Sequence, residues 1–196
     1  ALQVGDAYRV LDVLAGHDAR DLYSSSKPLH RPRLKSLPPT FRFGVPRAAQ
    51  LEFFGDAHAG AAWARALQRL RARGGVPVEV DYAPFREAGE LLFNSPLVAE
   101  RWLSYGPTLR EHPHTVHPAV AQALERAHDF SAAQAYAAAY SLRELRLAAL
   151  AELGDLAFLA LPTCTRIPLV SEVEADPQGV NTQMGQYTYF ANPLGL

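Results

Sequence analysis

Between Val4 and Ala15 the apolar positions Val4, Ala7, Tyr8, Leu11 and Leu14 recur at the spacing of one helical face, and Gly16 supplies a stop. Residues 17–40 break that pattern. They carry Ser24-Ser25-Ser26 with Pro28, Pro32, Pro38 and Pro39, a composition unsuited to helix interiors and sheet ladders, which predicts a long surface connection. An apolar run, Phe41-Arg-Phe-Gly-Val-Pro46, follows as a candidate strand. Asp56 then stands where an N-cap belongs, ahead of a helix with Ala59, Trp63, Ala66, Leu67 and Leu70 on one face and Gly74-Gly75 at its end. Arg69, Arg71 and Arg73 near that end complement the helix dipole. Val76, Val78, Val80 and Tyr82 alternate with Pro77, Glu79 and Asp81, the period of a half-buried strand. Strand, helix and strand in this order predict a right-handed crossover between parallel strands.

Pro84 can open a helix running through Glu87 and Leu91, and Ser95-Pro96 reads as a second cap with proline at the first position of a helix from Leu97 to Leu103. A further helical region begins after Pro118. Ser131-Ala-Ala-Gln134 is a capping box opening a long alanine-rich helix to about Leu153. Leu156-Ala-Phe-Leu-Ala-Leu-Pro162 is a short continuous apolar run, read as a buried strand entering a loop. The alternation makes this an α/β chain, and residues 1–196 read as one domain or most of a larger one.

Composition narrows the function classes. Of 196 residues, 48% are hydrophobic, enough for one substantial core. Nineteen Lys and Arg oppose twenty Asp and Glu, so no overall field attracts nucleic acid or a membrane surface. No run of about 18 apolar residues occurs, and no basic segment with an apolar signal core opens the chain; a cytoplasmic protein is expected. The single cysteine, Cys164, excludes an intrachain disulfide and a multi-cysteine zinc site. The chain starts at Ala1 and ends at Gly195-Leu196 in an apolar stretch, which reads as a segment of something longer.

Several constellations could carry chemistry, and each has a plainer alternative. Ser24-Ser-Ser-Lys27 matches a pattern that places a lysine beside a serine nucleophile, yet it lies in the proline-rich connection, where a solvated loop is expected. His112, His114 and His117 could hold a transition metal, but Pro113 and Pro118 flank them and no carboxylate or thiolate completes the set; an exposed loop before a helix is the simpler reading. Cys164 follows Pro162-Thr163 at a strand end without an identifiable base, so a small buried or half-buried residue is expected. Glu100-Arg101 by itself is a surface pair on a helix.

The order of short motifs adds to this. After the apolar run at Leu156 come Pro162-Thr163, Glu172-Val-Glu-Ala-Asp-Pro177 in a valine and glutamate-rich loop, Asn181, and Gly185-Gln-Tyr-Thr-Tyr-Phe190 with Asn192. Upstream stand Leu14-Ala-Gly16-His-Asp18 with Asp21-Leu-Tyr-Ser24, then Ser95-Pro-Leu-Val-Ala-Glu-Arg101, then His117-Pro118 before Asp129-Phe-Ser131. This succession resembles the allophanate hydrolase branch of the amidase-signature family, along essentially the whole chain. The resemblance implies a partial amidase-signature fold, a mixed sheet flanked by helices. It also implies an enzyme with a serine nucleophile, a second serine and a lysine base in segments preceding this one. Lys27 and Lys35 fall after the point where those segments would have passed, so no catalytic residue is assigned.

What the resemblance does place here is substrate recognition. Allophanate carries a carboxylate, and the arginine of the Val-Ala-Glu-Arg helix, matched by Arg101, would grip it with two parallel charge-assisted hydrogen bonds. The family's tyrosine eight residues earlier corresponds to Phe93, which keeps the ring and loses the hydroxyl. The expectation is a segment of an amide hydrolase of urea degradation, inactive alone, with a small acidic amide as the parent's substrate. No cofactor, metal, nucleic acid or membrane partner is implied. Cutting such a sheet would leave strands without neighbours, so a homo-oligomer is expected. The alternative is a non-catalytic binding or assembly module derived from the same fold.

Overall fold

The computed structural model describes residues 2–24, 26 and 38–196, which divide into two compact units, 1–38 and 39–196. In the first unit, α1 (Val4–Leu14) forms where the helical periodicity predicts it and ends with Ala15 in an extended conformation, one residue before Gly16. None of its residues is buried. Past it, the Asp18 carboxylate accepts from the Arg20 backbone N–H and guanidinium, and the Asp18 N–H donates to Ser24 Oγ at 2.9 Å, closing a turn. Ser24 is thus engaged in that turn, and Lys27 and Lys35 lie outside the described residues.

The second unit is built on β1 (Phe41–Pro46) and β2 (Gly75–Val80), paired in parallel with Phe41 opposite Gly75 and Pro46 opposite Val80. They are joined by α2 (Ala57–Ala72), whose N-cap Asp56 accepts the Ala59 N–H at 2.9 Å. Gly74, at φ 88°, turns the chain back into β2, and a side chain there would strike the Pro39 carbonyl. The apolar run at Leu156 lies along the other side of β1: Ala157 N–H donates to Arg42 O, Gly44 N–H to Phe158 O and Ala160 N–H to Gly44 O, with a parallel bridge between Gly44 and Leu159. It is half-buried rather than buried, because among the described residues it has a sheet neighbour on one side only. The expected mixed sheet is, among the described residues, purely parallel. The chain crosses at least one helix before each return to the sheet, so it re-enters in the same direction.

Two cores follow. Phe41, Phe43 and Val45 on one face of β1 pack with Trp63, Leu67 and Leu70 of α2 and with Phe158. The larger core joins Tyr82, the Phe85 and Ala88 face of α3 (Ala83–Asn94), Ala149 of α6 (Ala132–Leu153), Tyr187, Phe190, and Leu194 of α9 (Ala191–Leu194). Burying one such aromatic ring contributes about 1.5–3 kcal/mol. The Ser131–Gln134 capping box forms as the spacing predicts.

Helix α4 (Val98–Glu111) departs from expectation at its far end. At its start the extended Ser95 caps as the sequence predicts, its Oγ accepting the Leu97 N–H at 3.2 Å and donating back to the Leu91 carbonyl of α3 at 2.5 Å. The helix runs eight residues past Leu103, through Pro107. Proline costs the helix one backbone bond. Burial of Leu109 in the turn beyond it, and of Gly106 against the Trp102 ring, offsets that loss. After α5 (Pro118–Glu125) and a 3-10 turn at Arg126–Asp129, the stretch expected as a loop around Glu172 folds into α7 (Val170–Ala175) and α8 (Pro177–Gly185). Local side-chain bonds explain this. Glu172 accepts the Leu169 N–H and an Arg166 N–H, each at 2.7 Å, and Asp176 accepts the Gly179 N–H at 2.9 Å.

Candidate functional site

Helices α3 and α4 each have a second face turned away from the core. On α3 it carries Arg86, Gly89, Glu90 and Phe93, and on α4 Val98, Arg101, Tyr105 and Thr108, both at the three-to-four-residue spacing that lines one side of a helix. Together with α5, Arg126, α7, α8 and Tyr189 these faces enclose a cavity of about 700 Å³. Its α5 wall is apolar, contributed by Val120, Ala123 and Leu124, while α8 adds Val180 and Met184 beside Gln178, Asn181 and Thr182. Three arginines, Arg86, Arg101 and Arg126, face it against one glutamate, Glu90. Such a concave site, with an excess of positive over negative side chains and further polar groups on its walls, suits a small anion.

The two residues that the sequence singles out meet here. The Arg101 guanidinium lies over the Phe93 ring, 4.9 Å from its centroid. It forms no ion pair with Glu100 or any other described residue, which leaves its hydrogen-bonding edge free. Stacking on an aromatic face holds a guanidinium while leaving its fork of N–H donors available for a carboxylate.

Beneath Phe93 the ring of Tyr189 packs edge-on, centroids 4.7 Å apart. Tyr189 has room because its neighbours are glycines. A side chain at Gly185 would overlap its ring, and one at Gly89 would crowd its Cβ at 3.2 Å. Its hydroxyl donates to the Asn181 carbonyl at 2.8 Å. Burial raises the Tyr189 phenol above its ordinary pKa, and the Arg101 charge partly opposes this. Arg126 completes the base of the site, its Nη1 donating to the Phe93 carbonyl and to Asn94 Oδ1, each at 3.2 Å.

The other candidates sit apart from this arrangement or play local parts in it. His112 and His114 are exposed, and His117, at the cavity rim, accepts the Ala119 N–H on Nδ1 as the N-cap of α5. No group of three potential metal ligands occurs among the described residues. Cys164 is half-buried and does not line the cavity. Neither serine, cysteine nor lysine is among the described residues that line it. Arg86, Arg126 and Tyr189 were not singled out in the sequence as site residues. For Tyr189 a signal existed, since a glycine four residues before an aromatic residue leaves space for its ring. Arg126 offers none, because its partners lie 32 and 33 residues away.

Comparison with known proteins shows what the chain and its fold are similar to. The chain matches no protein-family model. It is similar to the urea amidolyase of Lachancea kluyveri, 27% identical over 195 residues, which are 98% of this chain and 10% of that protein. The fold is similar to the crystal structure of Kluyveromyces lactis urea amidolyase, with TM-score 0.76 and 26% identity over 81% of this chain and 10% of that one. It is also similar to selenomethionine-substituted Kluyveromyces lactis allophanate hydrolase, with TM-score 0.75 and 26% identity, covering 81% of this chain and 26% of that one. The likeness is therefore to allophanate hydrolase and urea amidolyase in both sequence and fold. The chain spans about a tenth of the length of the curated relatives it matches.

Proposed function

We propose that this chain is the substrate-recognition part of an amidase-signature amide hydrolase that breaks down allophanate, or a closely related small acidic amide, in urea degradation. The observation that carries the reading is the unpaired Arg101 guanidinium held on the Phe93 ring in an arginine-rich cavity. In this reading Arg101 takes the substrate carboxylate in a two-bond grip, and Phe93 and the cavity wall flank the rest of the molecule. The nucleophile and base belong to residues outside this sequence, in keeping with the small share of the relatives that it spans. The enzyme needs no cofactor and works in the cytoplasm; no described helix is long and apolar enough to cross a membrane.

The test is ammonia release from allophanate by the 196-residue chain and by a chain extended upstream through the lysine and glycine-serine segments that the resemblance implies. Activity of the longer chain alone, abolished or severely reduced by Arg101→Ala, is the expected result. Turnover by the short chain would overturn the assignment and return attention to Ser24, Lys27 and Cys164.

A second reading, a non-catalytic binding module, draws on the absence of serine, cysteine and lysine among the described residues that line the cavity. It predicts that an extended chain still binds a small acidic amide but does not hydrolyse it.

A further inference from the structure

A helix leaves its last carbonyls without partners inside the helix, and α3 ends at the cavity. Two side chains from outside α3 take them up. Ser95 Oγ donates to the Leu91 carbonyl, and Arg126 Nη1 donates to the Phe93 carbonyl while also holding Asn94 Oδ1. A cation at a helix C-terminus is favoured by the dipole, so capping alone would account for an arginine here. The capped residue makes the difference. Phe93 is the ring on which the Arg101 guanidinium rests, with Tyr189 set edge-on against it.

We infer that Arg126 is a positioning residue for the Arg101 site: by clamping the backbone of Phe93 and the side chain of Asn94, it fixes the platform that aims the free guanidinium into the cavity. This rests on the proposed role of Arg101 as the carboxylate grip. Without the clamp, the last turn of α3 loses its partner from the 3-10 turn after α5, and Phe93 can swing with it. Arg101 then keeps its charge and loses its bearing, which matters for a two-bond grip that needs the guanidinium fork in one orientation.

The experiment is a double-mutant cycle on the 196-residue chain, with calorimetric binding of malonamate. That molecule is the half-amide of malonic acid, in which a methylene replaces the central nitrogen of allophanate. Arg126→Gln is expected to weaken binding roughly tenfold, the scale of a lost hydrogen bond to a charged group. In an Arg101→Gln background it is expected to have no further effect. Asn94→Ala removes one anchor of the clamp without changing charge and supplies the same cycle if Arg126→Gln fails to fold; about threefold weakening is expected, again only when Arg101 is present. Equal losses in both backgrounds would mean that Arg126 acts directly on the anion or on the fold at large, and would overturn the inference while leaving the Arg101 reading intact. Unchanged binding in Arg126→Gln or Asn94→Ala overturns it too. If Arg101→Gln itself leaves binding unchanged, the proposed function fails first, and the inference with it.

Discussion

The ring of Tyr189 occupies the space in which a side chain at Gly185 would stand. Two opposing effects act on Gly185→Ala. Alanine is favoured over glycine within a helix by about 1 kcal/mol. Forcing a methyl into a filled site costs about 1–3 kcal/mol. Because the obstacle is the body of an aromatic ring, itself packed edge-on against Phe93, overpacking wins. Gly185→Ala is expected to lower the thermal midpoint and also to weaken malonamate binding, since Tyr189 braces Phe93. Unchanged binding in a folded variant would show that Tyr189 does not support the site.

At Phe93 the missing hydroxyl can be put back. If the cavity takes a small acidic amide on Arg101, Phe93→Tyr supplies a donor beside it, and one neutral hydrogen bond contributes about 0.5–1.5 kcal/mol. The expected outcome is malonamate binding tighter by roughly two- to tenfold. Weaker binding would mean that the ring edge faces an apolar group, and that the ligand differs from allophanate at that position.

How much of this was legible beforehand follows from the range of each interaction. The Asp56 cap and the Ser131–Gln134 box join residues three apart, and both form as the spacing predicts. The alternation from Val76 gave the right strand, but Val76 itself stays exposed because β2 has no described neighbour on its outer side. The helix beyond Leu103 was hidden by Gly106-Pro107, which reads locally as a break and is overridden by Trp102 packing on Gly106 and by burial of Leu109. Arg101 and Phe93 came from motif resemblance, whereas the arrangement around them depends on contacts between distant segments. Arg126 reaches α3 across 33 residues, and Tyr189 reaches Phe93 across nearly a hundred.

Alkaline pH should expose the central tyrosines. Burial raises the pKa of Tyr82 far above that of a free phenol, and raises that of Tyr187 as well. Their hydroxyls are spent on backbone: Tyr82 donates to the Gln186 carbonyl at 3.0 Å, and Tyr187 accepts the Glu52 N–H at 2.7 Å while donating to the Glu52 carbonyl at 3.1 Å. A group that holds its proton more tightly when folded contributes stability that is intact below its unfolded pKa, near 10, and declines as pH rises beyond it. Chemical denaturation followed from pH 8 to 11 is therefore expected to show falling stability above about pH 10. Tyr187→Phe should lower stability at pH 8, by about 1–3 kcal/mol for the Glu52 groups left unpaired, and flatten the alkaline decline. A decline of equal steepness in the variant would assign the alkaline sensitivity to other groups.

Self-association is the consequence to expect of the surfaces that the larger unit leaves open. Among the described residues β2 pairs only with β1, and the 156–160 segment likewise touches β1 on one side, so both margins of the sheet offer unpaired backbone groups. Unpaired sheet edges recruit other chains unless charge or proline blunts them. Pro77 lies within β2 and limits the pairing that edge can support, but Val76 beside it is 47% exposed. Large apolar side chains add to this at Ile167, Leu169 and Val170 around the start of α7 and at Leu147 on α6, all of them mostly exposed. Sedimentation at tens of micromolar should find species heavier than the 21.4 kDa chain. Val76→Lys and Leu169→Glu should each shift the distribution toward monomer, with Leu169→Glu the larger if apolar contact outweighs edge pairing. A monodisperse monomer of the unmodified chain would mean that these surfaces are tolerated in water as they stand, and that homo-oligomer formation is not built into this part of the fold.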